Sequence, residues 1–240
     1  MKGAILSSPH RRPVESAEFD IREGRTRVNI EGIIFDSDGT LVDSETLSAR
    51  AISQILFDNG APVAIDEVLE RFRGCRFALF AQSILQDHPV MDVEAFTREF
   101  RIRSVELFTR ELQPMNGAVE LVSAIAIEKC VASNGPRDKI EQCLGATGLL
   151  PYFTERIASA YEVQSWKPDP GLILHASSMM GVAPNRCLLV EDSIAGVQAG
   201  LEAGVFVVGY RLSVSARATL SHRVPVIQEL AELRDYVHIA

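Results

Sequence analysis

Three groups of polar residues directly follow short apolar runs and a fourth lies just past another, and together they supply carboxylates, a lysine and small hydroxyl and amide groups. The groups are Asp36-Ser37-Asp38-Gly39-Thr40, Ser133-Asn134-Gly135, Lys167-Pro168-Asp169-Pro170 and Glu191-Asp192-Ser193. A D-x-D-G sequence by itself is a common turn or helix-capping device. Because ligands bind beyond the carboxyl ends of the strands in an open parallel sheet, we expect the four groups to meet at one edge of such a sheet.

These residue types suit phosphoryl transfer assisted by Mg²⁺. Carboxylates around one point repel each other unless a divalent cation neutralises them, and Mg²⁺ accepts carboxylate and carbonyl oxygens as ligands. A carboxylate can also attack phosphorus to give an acyl phosphate, which splits hydrolysis into two easier steps. Hydroxyl and backbone N–H groups at a strand-to-helix turn can hold phosphoryl oxygens, and Lys167 adds a compact positive charge.

An alternation of strand-like and helical patterns predicts the sheet that positions these groups. The apolar run at 30–35 is typical of a buried strand that leads into a turn. Further strands are expected at 130–133, 156–159, 187–191 and 205–209, alternating with helices at 117–127, 137–145, 170–180 and 194–203. Short connections imply right-handed crossovers. The expected fold class is α/β, with a doubly wound, Rossmann-like parallel sheet.

The segment between the first and second groups has apolar residues at helical spacing and no strand-like run, which predicts four helices. Asp43 and Ser44 are expected to cap the first helix, which Gly60 ends. Asp66 is expected to cap the second helix and Asp92 to open the fourth. Four helices in this length of chain predict a small bundle, inserted into the α/β core as a cap domain.

The chain is therefore expected to contain a core, an inserted cap and an N-terminal extension. The expected division is an extension at 1–28, a core at 29–43 and 114–240, and a helical cap at 44–113. Residues 1–28 lack sustained hydrophobic periodicity and collect Ser, Pro, Arg and Glu. We expect them to form a flexible arm outside the fold.

The composition excludes some partners. The 240 residues are 47% hydrophobic and carry 24 Lys+Arg against 32 Asp+Glu, a net charge of -8. This acidic balance argues against nucleic acid or an anionic membrane as the main partner, and no apolar run approaches the roughly 18 residues that span a bilayer. The four cysteines show no C-x-x-C spacing, which indicates structural thiols and a reducing cytoplasm. We expect a monomer or weak dimer that binds a small phosphorylated substrate.

The four groups, in this order, resemble the motifs of the haloacid dehalogenase-like phosphotransferase superfamily. The residues that carry the resemblance lie at 35–45, 133–135, 167–170 and 191–196. The likeness covers roughly residues 29–235. The helical insertion resembles the small-cap subclass, to which β-phosphoglucomutase-like sugar-phosphate phosphatases belong. The stretches at 133–137 and 166–170 are most similar to the 6-phosphogluconate phosphatases.

The resemblance implies a covalent mechanism. Asp36 would be the nucleophile that forms an aspartyl-phosphate, and Asp38 would be general acid to the leaving group and then base to the incoming water. Lys167 would steady both Asp36 and the phosphoryl group. The implied cofactor is Mg²⁺, held by Asp36, the backbone carbonyl of Asp38 and Asp192, with Glu191 either a further ligand or an orienting neighbour.

The resemblance also implies a phosphate cradle and a cap that reads the substrate. Thr40, Ser133 and Asn134 would hold the transferring phosphoryl group. In this cap subclass the segment around Arg73 and Arg76 faces the active site, so these arginines could bind an anionic group of the substrate. The alternative is that both belong to a solvated helix end.

The implied function is a Mg²⁺-dependent phosphatase acting on a small phosphorylated sugar or sugar acid, such as 6-phosphogluconate. A phosphomutase with the same aspartyl-phosphate and a non-catalytic binding protein are the alternatives. β-Phosphoglucomutases carry a histidine early in the first cap helix, where this chain has Ser48, and no histidine lies between His10 and His88. This difference favours a phosphatase over a mutase. A dehalogenase is disfavoured, because it has no need for the second aspartate of the first group.

Overall fold

The computed structural model describes residues 29–72, 75–153, 155–220 and 223–236. The predicted extension at 1–28 lies outside these residues, and so does Arg73, one of the two predicted cap arginines. Within the described residues the chain forms one six-stranded sheet, helices on its two faces, and four helices inserted after the first strand. The predicted fold class is therefore confirmed.

All neighbouring strands of the sheet are parallel. The strands are β1 Gly32–Phe35, β2 Glu128–Ser133, β3 Ile157–Ser159, β4 Cys187–Glu191, β5 Phe206–Tyr210 and β6 Val226–Ile227. Their spatial order is β3-β2-β1-β4-β5-β6. After β1, the chain forms β2 and β3 on one side of that strand, and then forms β4, β5 and β6 on its other side. The crevice between β1 and β4 is thus the switch point at which such sheets bind ligands.

The central strand β1 is buried on both faces, as expected for a parallel sheet covered by helices. Ile33 and Phe35 pack in one hydrophobic core, and Ile34 between them packs in the core on the opposite face. Neighbouring strands alternate in the same way. On β2, Val131 joins Phe35, and Cys130 joins Ile34. The two-residue period of the strand therefore divides its apolar residues between two cores.

The cap contains the four predicted helices. They are α1 Ser44–Asp58, α2 Ile65–Phe72, α3 Phe77–Asp87 and α4 Val93–Glu111. Asp92 opens α4 as predicted, and its side chain accepts a hydrogen bond of 2.7 Å from the backbone N–H of Ala95. The prediction that Asp66 caps α2 is wrong. The helix already begins at Ile65, so Asp66 lies in its first turn, where a negative charge favours the helix dipole.

In the described part of the chain, six further α-helices cover the sheet. They are α5 Ala118–Ala124, α6 Arg137–Ala146, α7 Ala160–Val163, α8 Gly171–Met180, α9 Ile194–Ala203 and α10 Val214–Leu220. α5 ends earlier than predicted, because Ile125 adopts an extended conformation and buries its side chain in the core. None of the helices among the described residues is both long and apolar enough to cross a membrane. All four cysteines are unpaired, and only Cys75 is exposed.

The two chain segments that join the cap to the core lie side by side. Val42 and Pro114 form an isolated antiparallel bridge, and the backbone N–H of Asp43 donates to the carbonyl of Gln113 at 3.1 Å. The cap therefore enters and leaves the core through one paired connection. The exact division into core and cap stays a prediction.

Candidate active site

The four polar groups of the sequence meet in one cavity of about 390 Å³ between the carboxyl edge of the sheet and the cap helices. The predicted residues that line it are Asp36, Asp38, Arg76, Ser133, Asn134, Lys167, Glu191 and Asp192. Its apolar wall comes from the cap residues Phe72, Phe77, Phe100, Val105 and Phe108. A volume of this size is ordinary for a small-molecule site.

Lys167 joins two carboxylates from the ends of β1 and β4. Its ammonium nitrogen lies 2.6 Å from Oδ1 of Asp36 and 2.6 Å from Oε2 of Glu191. The side chains are 2%, 10% and 1% exposed, respectively, so water screens these charges little. Burial alone would lower the pKa of Lys167, but the two carboxylates outweigh it and raise that pKa. Lys167 is therefore held as a cation beside Asp36.

Negative charge exceeds positive charge around Asp36 and Asp192. Burial raises the pKa of Asp36 well above its usual value, and the charge of Glu191 raises it further, while Lys167 offsets only part of this. The pKa of Asp192 is also raised, first by burial and then by Glu45, Glu191 and Asp36. Glu45 on α1 was not predicted as a site residue. The sequence signal for it was its place at the end of the stretch 35–45, which carries the family resemblance.

This carboxylate cluster fits a divalent cation. Asp36, Glu191 and Asp192 each offer an oxygen, and these oxygens lie within 4.8 Å of one another. Burial is the main cause of the raised pKa values of the two aspartates, and repulsion between the carboxylates adds to it. A cation of charge two would relieve that repulsion, and carboxylate oxygens are ligands that Mg²⁺ accepts. The side chain of Asp38 is not part of this cluster. The prediction that Asp38 binds metal through its backbone carbonyl stays a prediction.

Glu191 is already bound by several donors. Its Oε2 accepts from Lys167, and its Oε1 accepts from the backbone N–H groups of Asp192 and Ser193 at 3.1 and 3.0 Å and from the Ser193 hydroxyl at 2.8 Å. These bonds fix the carboxylate and, through it, Lys167. The arrangement favours an orienting role for Glu191 over that of a direct ligand.

Gly39 brings the first polar group close to the fourth. Its φ is +82°, in the left-handed region that favours glycine. A Cβ atom built at Gly39 would also overlap the carboxylate of Asp192. Both the turn and the close approach of the backbone to Asp192 therefore require glycine at this position.

Asp38 is held by two residues that the sequence did not assign to the site. The hydroxyl of Ser44 and the ammonium of Lys139 both donate to its Oδ1, Lys139 at 2.8 Å. Burial would raise the pKa of Asp38, but Lys139 and Ser44 outweigh it and lower that pKa. Asp43 occupies the N-cap position of α1 as predicted but makes no side-chain capping bond. The prediction that Ser44 caps the helix is wrong, because its hydroxyl turns to Asp38.

Lys139 had a signal in the sequence. It is one of only four lysines in the chain and follows the Ser133-Asn134-Gly135 group by one helical turn. It lies in the first part of α6, which continues from the end of β2. A residue there points back toward the edge of the sheet, so proximity to the site could have been expected.

The proposed phosphate cradle has mixed support. Ser133 lines the cavity, and its hydroxyl oxygen accepts from the backbone N–H of Gly135 at 3.0 Å. Asn134 uses both ends of its amide on the backbone of Lys167, at 2.9 and 3.3 Å, so it positions that loop. Thr40 is completely buried and is not among the cavity-lining residues, and its hydroxyl has no hydrogen-bond partner in the described chain.

The cap contributes one predicted arginine to the cavity. The guanidinium carbon of Arg76 lies 4.2 Å from the centre of the Trp166 ring, a cation–π contact between cap and core. Trp166 in turn packs edge-to-face on Tyr161. Arg71 behaves differently, because it pairs with Asp87 at 2.8 Å on the outer surface of the cap. Arg76 therefore lies at the cavity, and Arg73 lies outside the described residues.

Comparison with known proteins identifies the family. The model of the haloacid dehalogenase-like hydrolases matches residues 30–204. The 6-phosphogluconate phosphatase of Escherichia coli K12 is 35% identical over 205 residues, which cover 85% of this chain and 93% of that protein.

Solved structures share the fold. A haloacid dehalogenase family hydrolase from Deinococcus radiodurans, solved with phosphate and sodium, has a TM-score of 0.73 at 27% identity, covering 87% of this chain and 95% of its own. A putative β-phosphoglucomutase from Thermotoga maritima has a TM-score of 0.72 at 23% identity, covering 86% of this chain and 98% of its own, and shows the fold alone. The chain belongs to the haloacid dehalogenase-like hydrolase family, within its phosphoric monoester hydrolases.

Proposed function

We propose that the protein is a Mg²⁺-dependent phosphatase that hydrolyses a small phosphorylated sugar or sugar acid through an aspartyl-phosphate on Asp36. The observation that carries this proposal is the placement of Asp36. It lies in the cavity, 2.6 Å from a buried lysine and within 4.8 Å of two further carboxylates. A nucleophile next to a fixed cation and a metal-binding cluster is the arrangement that phosphoryl transfer requires.

In the first step Asp36 attacks phosphorus and the ester oxygen leaves. Lys167 neutralises charge on both the nucleophile and the phosphoryl oxygens, and Glu191 keeps Lys167 in place. Asp38 gives a proton to the leaving oxygen, and in the second step it takes one from the water that attacks the aspartyl-phosphate. Mg²⁺, when bound by Asp36, Asp192 and the Asp38 carbonyl, supplies positive charge against the phosphoryl oxygens.

The proposed substrate is an anionic sugar phosphate, with 6-phosphogluconate as the first candidate. Two features support it: the 35% identity to an enzyme named for that substrate, and the position of Arg76 at the cap side of the cavity. A guanidinium can bind a carboxylate through two parallel hydrogen bonds. The guanidinium of Arg76 lies over the ring of Trp166, and this cation–π contact does not use the N–H donors of the arginine.

A phosphate-release screen with sugar phosphates and Mg²⁺ tests the proposal. We expect release from 6-phosphogluconate that stops in EDTA and returns with Mg²⁺. The same reactions, followed by ³¹P NMR with β-glucose 1-phosphate, separate the phosphatase from the mutase. Conversion to glucose 6-phosphate faster than phosphate release would replace our proposal with a mutase. No release from any sugar phosphate would favour a non-catalytic role.

A further inference from the structure

Lys139 is the second lysine of the cavity, and neither step of the proposed mechanism uses its bond to Asp38. It comes from α6 and reaches a residue 101 positions away in the chain. Its ammonium nitrogen also lies 5.9 Å from the centre of the Phe108 ring, on cap helix α4. Lys139 therefore sits where core, cap and active site meet.

We infer that Lys139 is a positioning residue for proton transfer: with Ser44, it holds Oδ1 of Asp38 and so makes Oδ2 the oxygen that exchanges the proton. This inference rests on the proposed function, because it assumes that Asp38 is the general acid and base. Lys139 acts through Asp38 and does not itself touch the reacting atoms.

The choice of oxygen follows from the hydrogen bonds. Lys139 and Ser44 both donate to Oδ1, and no described residue donates a hydrogen bond to Oδ2. An oxygen that accepts two donors, one of them charged, is a poor place for a proton. A protonated Asp38 therefore carries its hydrogen on Oδ2, with Oδ1 as the carbonyl oxygen, and both bonds persist in either protonation state.

The same geometry serves both steps. In the first step the Oδ2 proton moves to the ester oxygen as that oxygen's bond to phosphorus breaks and the bond from Asp36 forms. In the second step Oδ2 takes a proton from the water that attacks the aspartyl-phosphate, and Asp36 is released. Because the carboxyl group cannot rotate while Oδ1 is held, the proton is delivered along a fixed direction, which general acid catalysis requires.

The two donors to Asp38 come from different parts of the protein. Ser44 starts the first cap helix, whereas Lys139 belongs to the core, so the two donors approach Asp38 from the two parts of the enzyme. Ser44 alone would hold Asp38 by a neutral hydrogen bond only. Lys139 adds a charge-assisted bond, which is roughly twice as strong.

The test is a comparison of leaving groups in the variant Lys139→Met. We use phenyl phosphate and p-nitrophenyl phosphate, which have nearly the same shape, so that sugar contacts play no part. p-Nitrophenolate is a weak base that leaves without being protonated. Phenolate is a stronger base, so its departure depends more on a proton from the general acid. In terms of kcat/KM, which reports the steps up to formation of the aspartyl-phosphate, we expect about a tenfold or larger loss on phenyl phosphate and a much smaller loss on p-nitrophenyl phosphate.

Three further variants sharpen the result. Lys139→Arg should recover most of the activity on phenyl phosphate, since it keeps a charged donor. Ser44→Ala should shift the ratio between the two substrates in the same direction by a smaller factor, and it covers the case in which Lys139→Met does not fold. Lys129→Met, which removes a lysine at the start of β2 that binds the carbonyl of Ile125, is the matched control and should leave the ratio unchanged.

Equal losses of kcat/KM on both substrates would overturn the inference, because they would place Lys139 on the phosphate group or in the general stability of the site. An unchanged ratio in both Lys139→Met and Ser44→Ala would overturn it as well. Failure of the proposed function is distinguishable, since the unmodified enzyme and Lys129→Met would then release no phosphate from the two aryl phosphates or from any sugar phosphate.

Discussion

The ammonium nitrogen of Lys167 lies 2.6 Å from Oδ1 of Asp36, although the two residues are 131 positions apart in the chain. The contact is almost completely buried and is shared with Glu191. A buried lysine with two carboxylate partners keeps its proton, so Asp36 faces a permanent positive charge. That charge favours the ionised, nucleophilic form of Asp36 against the effect of burial.

The first prediction concerns the nucleophile. Asp36→Asn should lower phosphate release by more than about a thousandfold, because the amide has nearly the same shape but does not attack phosphorus. Asp169→Asn is the matched control, since Asp169 belongs to the same polar groups but is exposed and bonded to Ser165 and Gly171. It should keep activity within about twofold of the unmodified enzyme. Substantial turnover by Asp36→Asn would contradict the covalent mechanism.

The second prediction concerns metal binding. Mg²⁺ should raise the melting temperature of the protein, because it binds the folded carboxylate cluster and not the unfolded chain. In Asp192→Asn this rise should shrink, and Mg²⁺ titration should give a weaker dissociation constant. An equal rise in Tm for the variant would remove Asp192 from the metal site. The readout is independent of turnover.

The third prediction uses the raised pKa of Asp192 and holds in EDTA. A carboxyl group whose pKa is raised by folding stabilises the fold at low pH and loses that contribution as the pH rises through its folded pKa. Metal-free Asp192→Asn should therefore be more stable than the unmodified protein at pH 7. The difference should shrink toward pH 4. Denaturant unfolding at several pH values measures it, and a less stable variant at pH 7 would contradict the assigned repulsion.

The sequence was sufficient to place the main polar groups, for a physical reason. Three of the groups directly follow a strand whose apolar residues identify it, and the Lys167 group lies past β3 and the short helix α7. Parallel strands end at the same edge of the sheet. Asp36 and Glu191 therefore had to be neighbours once β1 and β4 were adjacent. For the same reason, the predicted boundaries of strands β1 to β5 lie within two residues of the observed ones. The short strand β6 was missed, because two residues carry no periodic signal.

The sequence could place Lys139 near the site, but it could not show that Lys139 and Ser44 hold Asp38. Lys139 reaches it through a side chain four bonds long, and the direction of such a side chain depends on the packing of α6 against the cap. Ser44 has a second common role as a helix cap, and no pattern in the sequence distinguishes that role from a bond to Asp38. The preference of aspartate for the N-cap position gave the correct start of α4 at Asp92. It gave the wrong start for α2, because that helix begins at Ile65, before Asp66.

The fourth prediction concerns substrate choice by the cap. Arg76→Ala should lower kcat/KM for 6-phosphogluconate by a factor of about 30, equivalent to roughly 2 kcal/mol, with a smaller loss on neutral glucose 6-phosphate. Arg76→Lys should recover little, since an ammonium neither stacks on Trp166 as a plane nor binds a carboxylate by two parallel bonds. Arg71→Ala, on the outer surface of the cap, is the control. Equal losses of Arg76→Ala on both substrates would remove its selective role.

The last prediction tests the packing of helix α9 against Glu191. Gly196 lies in the first turn of α9, and a Cβ atom there would overlap the carboxyl group of Glu191. Because Glu191 is buried and holds Lys167, Gly196→Ala must displace it and loosen the cation beside Asp36. We expect a loss of about 1–3 kcal/mol in the free energy of unfolding and a fall in kcat that exceeds any change in KM.

The matched control is Gly145→Ala in α6, where a new Cβ would meet only the side chain of Leu150, at 3.9 Å. Alanine is favoured over glycine in a helix by up to about 1 kcal/mol, so this variant should be slightly more stable and fully active. The two substitutions are chemically identical, and they differ only in what lies opposite the added methyl group. If denaturant unfolding and phosphate-release assays gave Gly196→Ala the same stability and activity as Gly145→Ala, Glu191 could move without cost. That result would contradict a fixed position of Glu191 beside Lys167.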